Sequence, residues 1–241
     1  MTKEEGLVLV ECLRAEMRRL QRVLFASRTH RLLVVLQGMD GSGKDGTVRH
    51  VFHGIDPHGF RVVAFKGPTT EELDRDVLWR IHHHVPARGG ITVFNRSHYE
   101  DVVTVSVKNL LPRSTWQKRY QHIVDFERML TDEGTAILKL FLHISPDEQA
   151  RRLQSRIETP EKHWKFHPDD AADRKLWVQI QDAYSETISR TSTENAPWYV
   201  VPANSKWRRN IAIAALIRDT LAGMNLKFPA PAWNPEGLKI S

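Results

Sequence analysis

The sequence holds a single cysteine, Cys12, among 241 residues. That excludes an internal disulfide and any metal cage built from cysteines alone. No apolar run approaches the roughly 20 residues needed to span a bilayer. The first residues, Met1-Thr2-Lys3-Glu4-Glu5, are acidic early and lack the apolar segment of a secretory leader. The expected compartment is therefore a reducing cytoplasm, with no membrane partner. There is no internal repeat, low-complexity tract or long linker. No Ser-His-Asp or Cys-His grouping suggests covalent catalysis. No helix-turn-helix, zinc-finger or RNA-binding signature is found, so no nucleic-acid partner is expected. His82-His83-His84 is a weak metal candidate, because consecutive helical side chains point in different directions.

What is present has ordinary globular proportions. Apolar residues make up 41 % and charged residues 27 %, which argues against wholesale disorder. Lys and Arg number 35 against 29 Asp and Glu, a formal net charge of +6. This modest excess suits an anionic partner without choosing among nucleotide, polyphosphate and nucleic acid. The length fits one α/β domain, or one with a small lid.

Strand-like and helix-like segments alternate, the pattern of a parallel sheet covered by helices on both faces. Leu13, Met17, Leu20 and Leu24 predict an amphipathic helix over 4–27, with Arg18, Arg19 and Arg22 between them. Leu32 to Leu36 reads as a buried central strand. Helix is expected from Lys44 to about His53, ended by Gly54. A strand is expected over 60–65, a helix over 71–84 and a strand over 91–94. Ser114 with Gln117 resembles a capping box for a helix ending near Gly134. A fourth strand follows over 136–144. Ser145-Pro146-Asp147-Glu148 then forms a strong helix start. Residues 159–168 are expected as loop, 169–190 as helix and 198–201 as the last strand. Asn204 is expected to cap a helix ending near Gly223, and the tail after Lys227 to be irregular.

Gly38-Met39-Asp40-Gly41-Ser42-Gly43-Lys44-Asp45 is the strongest local signal. It fits G-x-x-x-x-G-K between a strand and a helix. Glycines let successive backbone N–H groups face an anion, and the helix N-terminus adds positive potential. Lys44 brings a mobile cation to the phosphates. The expected phosphate contacts are Gly41, Ser42, Gly43, Lys44, Asp45, Gly46 and Thr47. Two departures stand out. Asp45 replaces the usual metal-binding Ser or Thr, the next hydroxyl being Thr47, and Asp40 lies inside the loop. A carboxylate there is awkward beside bare phosphate but suits bound Mg²⁺. The plain alternative is that Asp40 and Asp45 only cap a turn and a helix.

The strand at 91–94 runs into Asn95-Arg96-Ser97-His98-Tyr99-Glu100-Asp101. Ligands of open α/β sheets bind at such carboxyl ends. Asn95 stands where a strand-end Asp is usual. Arg96 suits bidentate phosphate binding, or else an ion pair with Glu100 or Asp101. Arg152 and Arg156 share one helical face ahead of Lys162, Trp164 and Lys165. That block, about 146–170, is expected to be a lid whose arginines close over the transferring group. Lys108, Arg113, Lys118, Arg119, Arg208 and Arg209 are candidates for a basic track. Trp116, Trp177, Trp198 and Trp207 read as core or interface aromatics.

Across residues 30 to 215 the sequence resembles the polyphosphate kinase 2 family. The glycine loop carries the resemblance, with Phe65-Lys66-Gly67-Pro68-Thr69, Glu71-Glu72-Leu73 and Phe94 through Val102. Arg152, Arg156, Pro160, Lys162, Trp164, Lys165, Asp170, Arg174, Trp177, Thr191-Ser192-Thr193, Ala196-Pro197-Trp198 and Lys206-Trp207 extend it. The resemblance implies an α/β, P-loop NTPase-like fold of the thymidylate-kinase kind: a three-layer sandwich with a central parallel sheet and a helical lid, over a single domain 1–241. It implies reversible phosphoryl transfer between inorganic polyphosphate and AMP, ADP or ATP with Mg²⁺ or Mn²⁺, by a homo-oligomer (dimer or tetramer). Asp40, Lys44, Asn95, Arg96, Arg152 and Arg156 then carry catalysis, with Asp40 on the metal and Arg96, Tyr99 and Glu100 at the nucleotide. Many members have Asp at the position of Asn95. The Asn-Arg-Ser-His-Tyr-Glu-Asp form resembles the branch that uses both AMP and ADP.

The acceptor would be a phosphate oxygen already ionised at neutral pH, so no general base is required. Three other readings remain at this point. An ATP-dependent nucleoside monophosphate kinase would work without polyphosphate. A nucleic-acid-binding module would use only the basic surface. An inactive P-loop regulator would bind neither Mg²⁺ nor nucleotide.

Overall fold

Leu32, Leu33, Val34, Val35 and Leu36 are all fully buried, and alternate between two hydrophobic cores. They lie on the middle strand of a five-stranded sheet, where both faces are covered. The computed structural model describes residues 1–233. In chain order the elements are α1 (Lys3–Ser27), β1 (Arg31–Gln37), α2 (Lys44–Val51), β2 (Phe60–Ala64), α3 (Thr70–Leu73), α4 (Trp79–His82), β3 (Ile91–Asn95), α5 (Glu100–Val107), α6 (Arg113–Trp116), α7 (Lys118–Asp132), β4 (Thr135–His143), α8 (Pro146–Glu158), a 3₁₀ segment (Pro160–Lys165), α9 (Pro168–Lys175), α10 (Trp177–Thr191), β5 (Trp198–Pro202) and α11 (Lys206–Gly223). The sheet order is β2-β3-β1-β4-β5, and every pairing is parallel. This is the expected α/β architecture.

Helices α1 and α11 cover one face. Met17 and Leu24 of α1 and Ile213 and Ile217 of α11 pack with Leu32, Val34 and Leu36. The four α1 leucine and methionine positions expected to be apolar anchors are all buried. Helices α5, α7 and α10 cover the other face, around Leu33, Val35 and Phe94. Leu36 of β1 is in register with Asn95 of β3 and Leu140 of β4. The carboxyl ends of the three inner strands therefore meet, and the loops leaving them share one crevice.

Several expectations about local structure are corrected. The helix over 71–84 is two short helices. Asp76 Oδ1 accepts from the Leu78 N–H at 2.9 Å and turns the chain, while Arg80 swings inward to the Lys66 carbonyl and Asp101. Ser114 caps nothing; α6 starts after Pro112, and a break at Gln117 separates it from α7. Within residues 159–168, Pro160–Lys165 form a 3₁₀ segment rather than open loop. The helix beyond is split at Leu176, and its first half starts at Pro168 under a capping box of His167 and Asp170. Asn204 does not cap α11. Its Oδ1 accepts from the Ser145 N–H at 2.9 Å and its Nδ2 donates to Ser145 Oγ at 3.0 Å, joining the two loops. Ser145 itself caps α8 as expected, accepting from Glu148 N. Residues 228–233 carry no helix or strand, and the rest of the tail lies outside the described residues.

Candidate active site

The loop from Gly38 to Gly43 joins the end of β1 to the start of α2. Gly43, the residue before α2, has φ 101°, and Arg209 and Arg152 press against the space a β-carbon would fill. Gly38 has φ 143°, and a β-carbon there would meet the Leu142 carbonyl at 2.7 Å. Only glycine fits both the dihedral and the space. Lys44 bends back over the loop and donates to the carbonyls of Gly38 at 2.5 Å and Met39 at 3.3 Å. Burial pulls its pKa below the usual lysine value, and Asp40 opposes that pull.

Arg96 follows β3 in a left-handed conformation, φ 62°. Its N–H donates to the Leu36 carbonyl at 3.1 Å, so the β3 exit is tied to the β1 exit. The guanidinium then meets Asp40, Nη2 to Oδ1 at 2.5 Å. Burial alone would raise the Asp40 pKa; Lys44 and Arg96, with a smaller effect of Arg156, hold it below the usual carboxylate range. Arg96 in turn is held firmly in its charged form by Asp40 and Glu100 against the cost of burial. The pair therefore stays ionised.

Asn95 and Asp45 are the positions that depart from the usual loop and strand-end residues, and they touch. Asn95 Nδ2 donates to Asp45 Oδ1 at 2.7 Å. The carboxylate missing from the strand end is thus supplied from the first turn of α2. Glu100 accepts from Thr104 Oγ1 at 2.7 Å and lines the cleft. Arg156 donates to the Lys165 carbonyl and to Asp170, and Asp170 lines the cleft. Thr47 and Ser42 are fully buried, and their hydroxyl oxygens have no protein partner.

Other candidate residues are placed differently. Arg152 is buried rather than poised over the cleft. It donates to the Gly41 and Ser42 carbonyls at 2.9 and 3.0 Å, to those of Ala203 and Asn204, and to Glu148. It fastens the loop from behind. Tyr99 does not face a nucleotide: it is fully buried, and its hydroxyl donates to Glu127 at 2.6 Å. The expected basic track is also dispersed. Arg209 is buried against the Ser42 carbonyl, Lys108 pairs with Asp173, and Arg119 donates to the Asp101 carbonyl.

The cleft that these residues border holds about 120 Å³. Asp40, Arg96, Glu100 and Asp170 are among its polar lining residues, and Val103, Val107 and Ile180 among its apolar ones. Gln149 was not anticipated. Its amide donates to the Asp40 carbonyl at 2.9 Å and orients the loop. Its signal was the fourth position after the Ser145 cap, one turn into α8. Tyr184 and the α5 wall were also missed, because neither carries a motif.

No group of three or more His, Cys, Asp or Glu among the described residues forms a ready cation cage. The donor set suits Mg²⁺, which takes one or two carboxylates and completes its shell with water and phosphate oxygens. Asp40, Asp45 and the unpartnered Thr47 hydroxyl are hard oxygen donors of that kind.

Glu148 ties the start of α8 to both neighbouring arginines. Its pKa is lowered to about 2, chiefly by Arg151 and then by Arg152, against an opposing effect of burial. A folded-state value below the ordinary 4.5 means stability that is present above pH 4.5 and lost as the pH falls toward 2. Urea unfolding of Glu148→Gln across this range is expected to show a stability deficit at pH 6 that narrows toward pH 3. A deficit that does not change with pH would refute the linkage.

Comparison with known proteins converges on one family. The family model described as "Polyphosphate kinase 2" matches residues 2–229. An AMP/ADP-polyphosphate phosphotransferase from Meiothermus ruber is 52 % identical over 238 residues, covering 99 % of this chain and 89 % of that protein. An ADP-polyphosphate phosphotransferase from Rhodopseudomonas palustris is 41 % identical over 95 % of this chain and 86 % of its own. The crystal structure of polyphosphate kinase 2 from Arthrobacter aurescens superposes with a TM-score of 0.94 at 44 % identity, covering 97 % of this chain and 84 % of that one. With a glycine loop, Lys44 and an Asp40–Arg96 pair at one strand crevice, and with these matches along nearly its whole length, the chain belongs to the polyphosphate kinase 2 family.

Proposed function

We propose that the protein transfers a phosphoryl group reversibly between inorganic polyphosphate and AMP or ADP. The observation that carries this reading is the glycine loop with Lys44, set beside the Asp40–Arg96 pair at the head of a half-polar, half-apolar cleft. The 52 % identity to an AMP/ADP-polyphosphate phosphotransferase supports the same donor and acceptors. The polar end of the cleft suits the acceptor phosphate, and the α5 and α10 wall suits the nucleoside.

Two highly charged reactants repel each other, so the protein's task is to hold them in line and offset the charge. Lys44 and the loop amides bind the donor end, and Arg96 binds the acceptor phosphate. Arg156 approaches from the lid side. No side chain is needed to remove a proton, because the attacking oxygen is already ionised. Mg²⁺ or Mn²⁺ would be held by Asp40 and, when bound, would supply charge neutralisation. The reading includes assembly with copies of the same chain, for which the exposed Leu110 and Val178 offer apolar contact; light scattering tests it. No helix among the described residues is long and apolar enough to cross a membrane.

The test supplies polyphosphate and Mg²⁺ with AMP, ADP, GMP or GDP in parallel. ATP is expected from ADP, and ADP followed by ATP from AMP. Folded protein that forms neither would overturn the reading. Turnover of ATP and a nucleoside monophosphate without polyphosphate would favour the ordinary kinase instead.

A further inference from the structure

We propose that Gln149 is a positioning residue through which helix α9 sets the Asp40 loop for transfer. This rests on the function proposed above and deepens it, naming a side chain of the same site that acts through Asp40.

Gln149 is buried on α8, and both ends of its amide are used. Nε2 donates to the Asp40 carbonyl at 2.9 Å, and Oε1 accepts from Arg174 Nη1 of α9 at 3.2 Å. The carbonyl can only accept and the guanidinium can only donate. A carboxylate of the same shape would satisfy Arg174 but turn lone pairs toward the carbonyl. The next loop residue lies directly on this side chain: a β-carbon on Gly41 would meet Gln149 Cγ at 3.3 Å. Asp40 itself turns its carboxylate to Arg96 and lies in the field of Lys44. A shift of the Asp40 backbone therefore moves that carboxylate relative to both cations of the site.

The far end of this relay is an element without a core. Helix α9 buries none of its residues. Polar contacts hold it: Asp170 accepts from Arg156 at 3.2 Å, Asp173 pairs with Lys108 at 2.9 Å, and Arg174 also donates to the Pro146 carbonyl at 2.7 Å. Such an element moves at smaller cost than one packed on the sheet. Asp170 and Asp173 line the cleft, whose volume of about 120 Å³ is below the roughly 300 Å³ of ordinary ligand pockets. Admitting a nucleotide therefore displaces α9. The terminal torsion of a glutamine is broad and nearly two-fold, so the amide of Gln149 turns freely once Arg174 leaves it. Return of α9 over a seated acceptor restores the contact, points Nε2 at the Asp40 carbonyl and fixes the loop.

Kinetics of the full-length Gln149→Glu, Gln149→Met and Arg174→Met variants with polyphosphate, Mg²⁺ and ADP test this. Gln149→Glu keeps the shape and the Arg174 contact and loses only the loop contact. It is expected to lower kcat about tenfold while the KM for ADP stays within about twofold, because misplacing a reacting group costs rate rather than binding. Gln149→Met should behave alike. Arg174→Met should lower kcat about threefold, and adding it to Gln149→Met should cost nothing more, since Arg174 acts through Gln149. Losses that multiply in the double variant overturn the relay, because the two residues then act independently. A raised KM with kcat unchanged overturns it as well, leaving Gln149 as wall of the cleft. So does Gln149→Glu at the parent's kcat. If Gln149→Met melts well below the parent, Gln149→Glu combined with Arg174→Met supplies the same cycle. No transfer by the parent protein overturns the proposed activity itself, which every other outcome leaves standing.

Discussion

Lys44→Ala is expected to lower turnover by about 10³-fold with little change in melting temperature. The ammonium group reaches two loop carbonyls and lies within electrostatic range of Asp40 and Arg96. Moving onto a phosphate, it would offset charge in a site shielded from water, where one such donor is worth about 10²–10³ in rate. Asp40→Ala is expected to cost a similar factor by a different route. It frees Arg96 from its partner and removes the carboxylate proposed to hold Mg²⁺. Coupled detection of ATP formed from ADP measures both. A Lys44→Ala variant within threefold of the parent would show that the loop is not where transfer occurs.

A larger effect on stability is expected at Lys139, far from any motif. Its side chain is fully buried on β4, and its ammonium donates to Glu127 at 2.5 Å, to the Thr191 carbonyl at 2.7 Å and to the Tyr99 hydroxyl at 3.1 Å. Lys139→Met leaves the Glu127 carboxylate buried beside Tyr99 and His98 without its cation. Breaking a buried pair on one side costs about 3–5 kcal/mol. In a chain of this size that lowers the melting temperature by roughly 10 °C. Adding Glu127→Leu removes the stranded charge and should restore most of the loss. If Lys139→Met melts within 2 °C of the parent, the pair contributes little. The consequence also reaches the site. Tyr99 immediately precedes α5, so loosening it displaces Glu100 and the apolar wall, and the acceptor KM should rise.

The departures from the expected elements have two kinds of cause. Helix α5 is rich in valine and carries no helix signature, yet Val102, Val103 and Val105 are buried on the sheet. Packing overrode local preference there. The turn at Asp76 and the α8 start at Ser145, by contrast, obey local rules: each side chain accepts from an N–H two or three residues on.

The glycine loop, its flanking strand and helix, and the chemistry of an anion site were legible from the sequence alone. Each depends on neighbours a few residues apart: φ values open to glycine, amides at a helix start, a run of buried apolar side chains. The direction of each long side chain was not. Arg96 meets Asp40 across 56 positions, Asn95 meets Asp45 across 50, and Arg152 meets Gly41 across 111. Arginine has several rotatable bonds, and its reach exceeds the spacing between elements. Which carboxylate or carbonyl it finds is therefore decided by how the sheet brings strand ends together, and that ordering exists only in the folded chain.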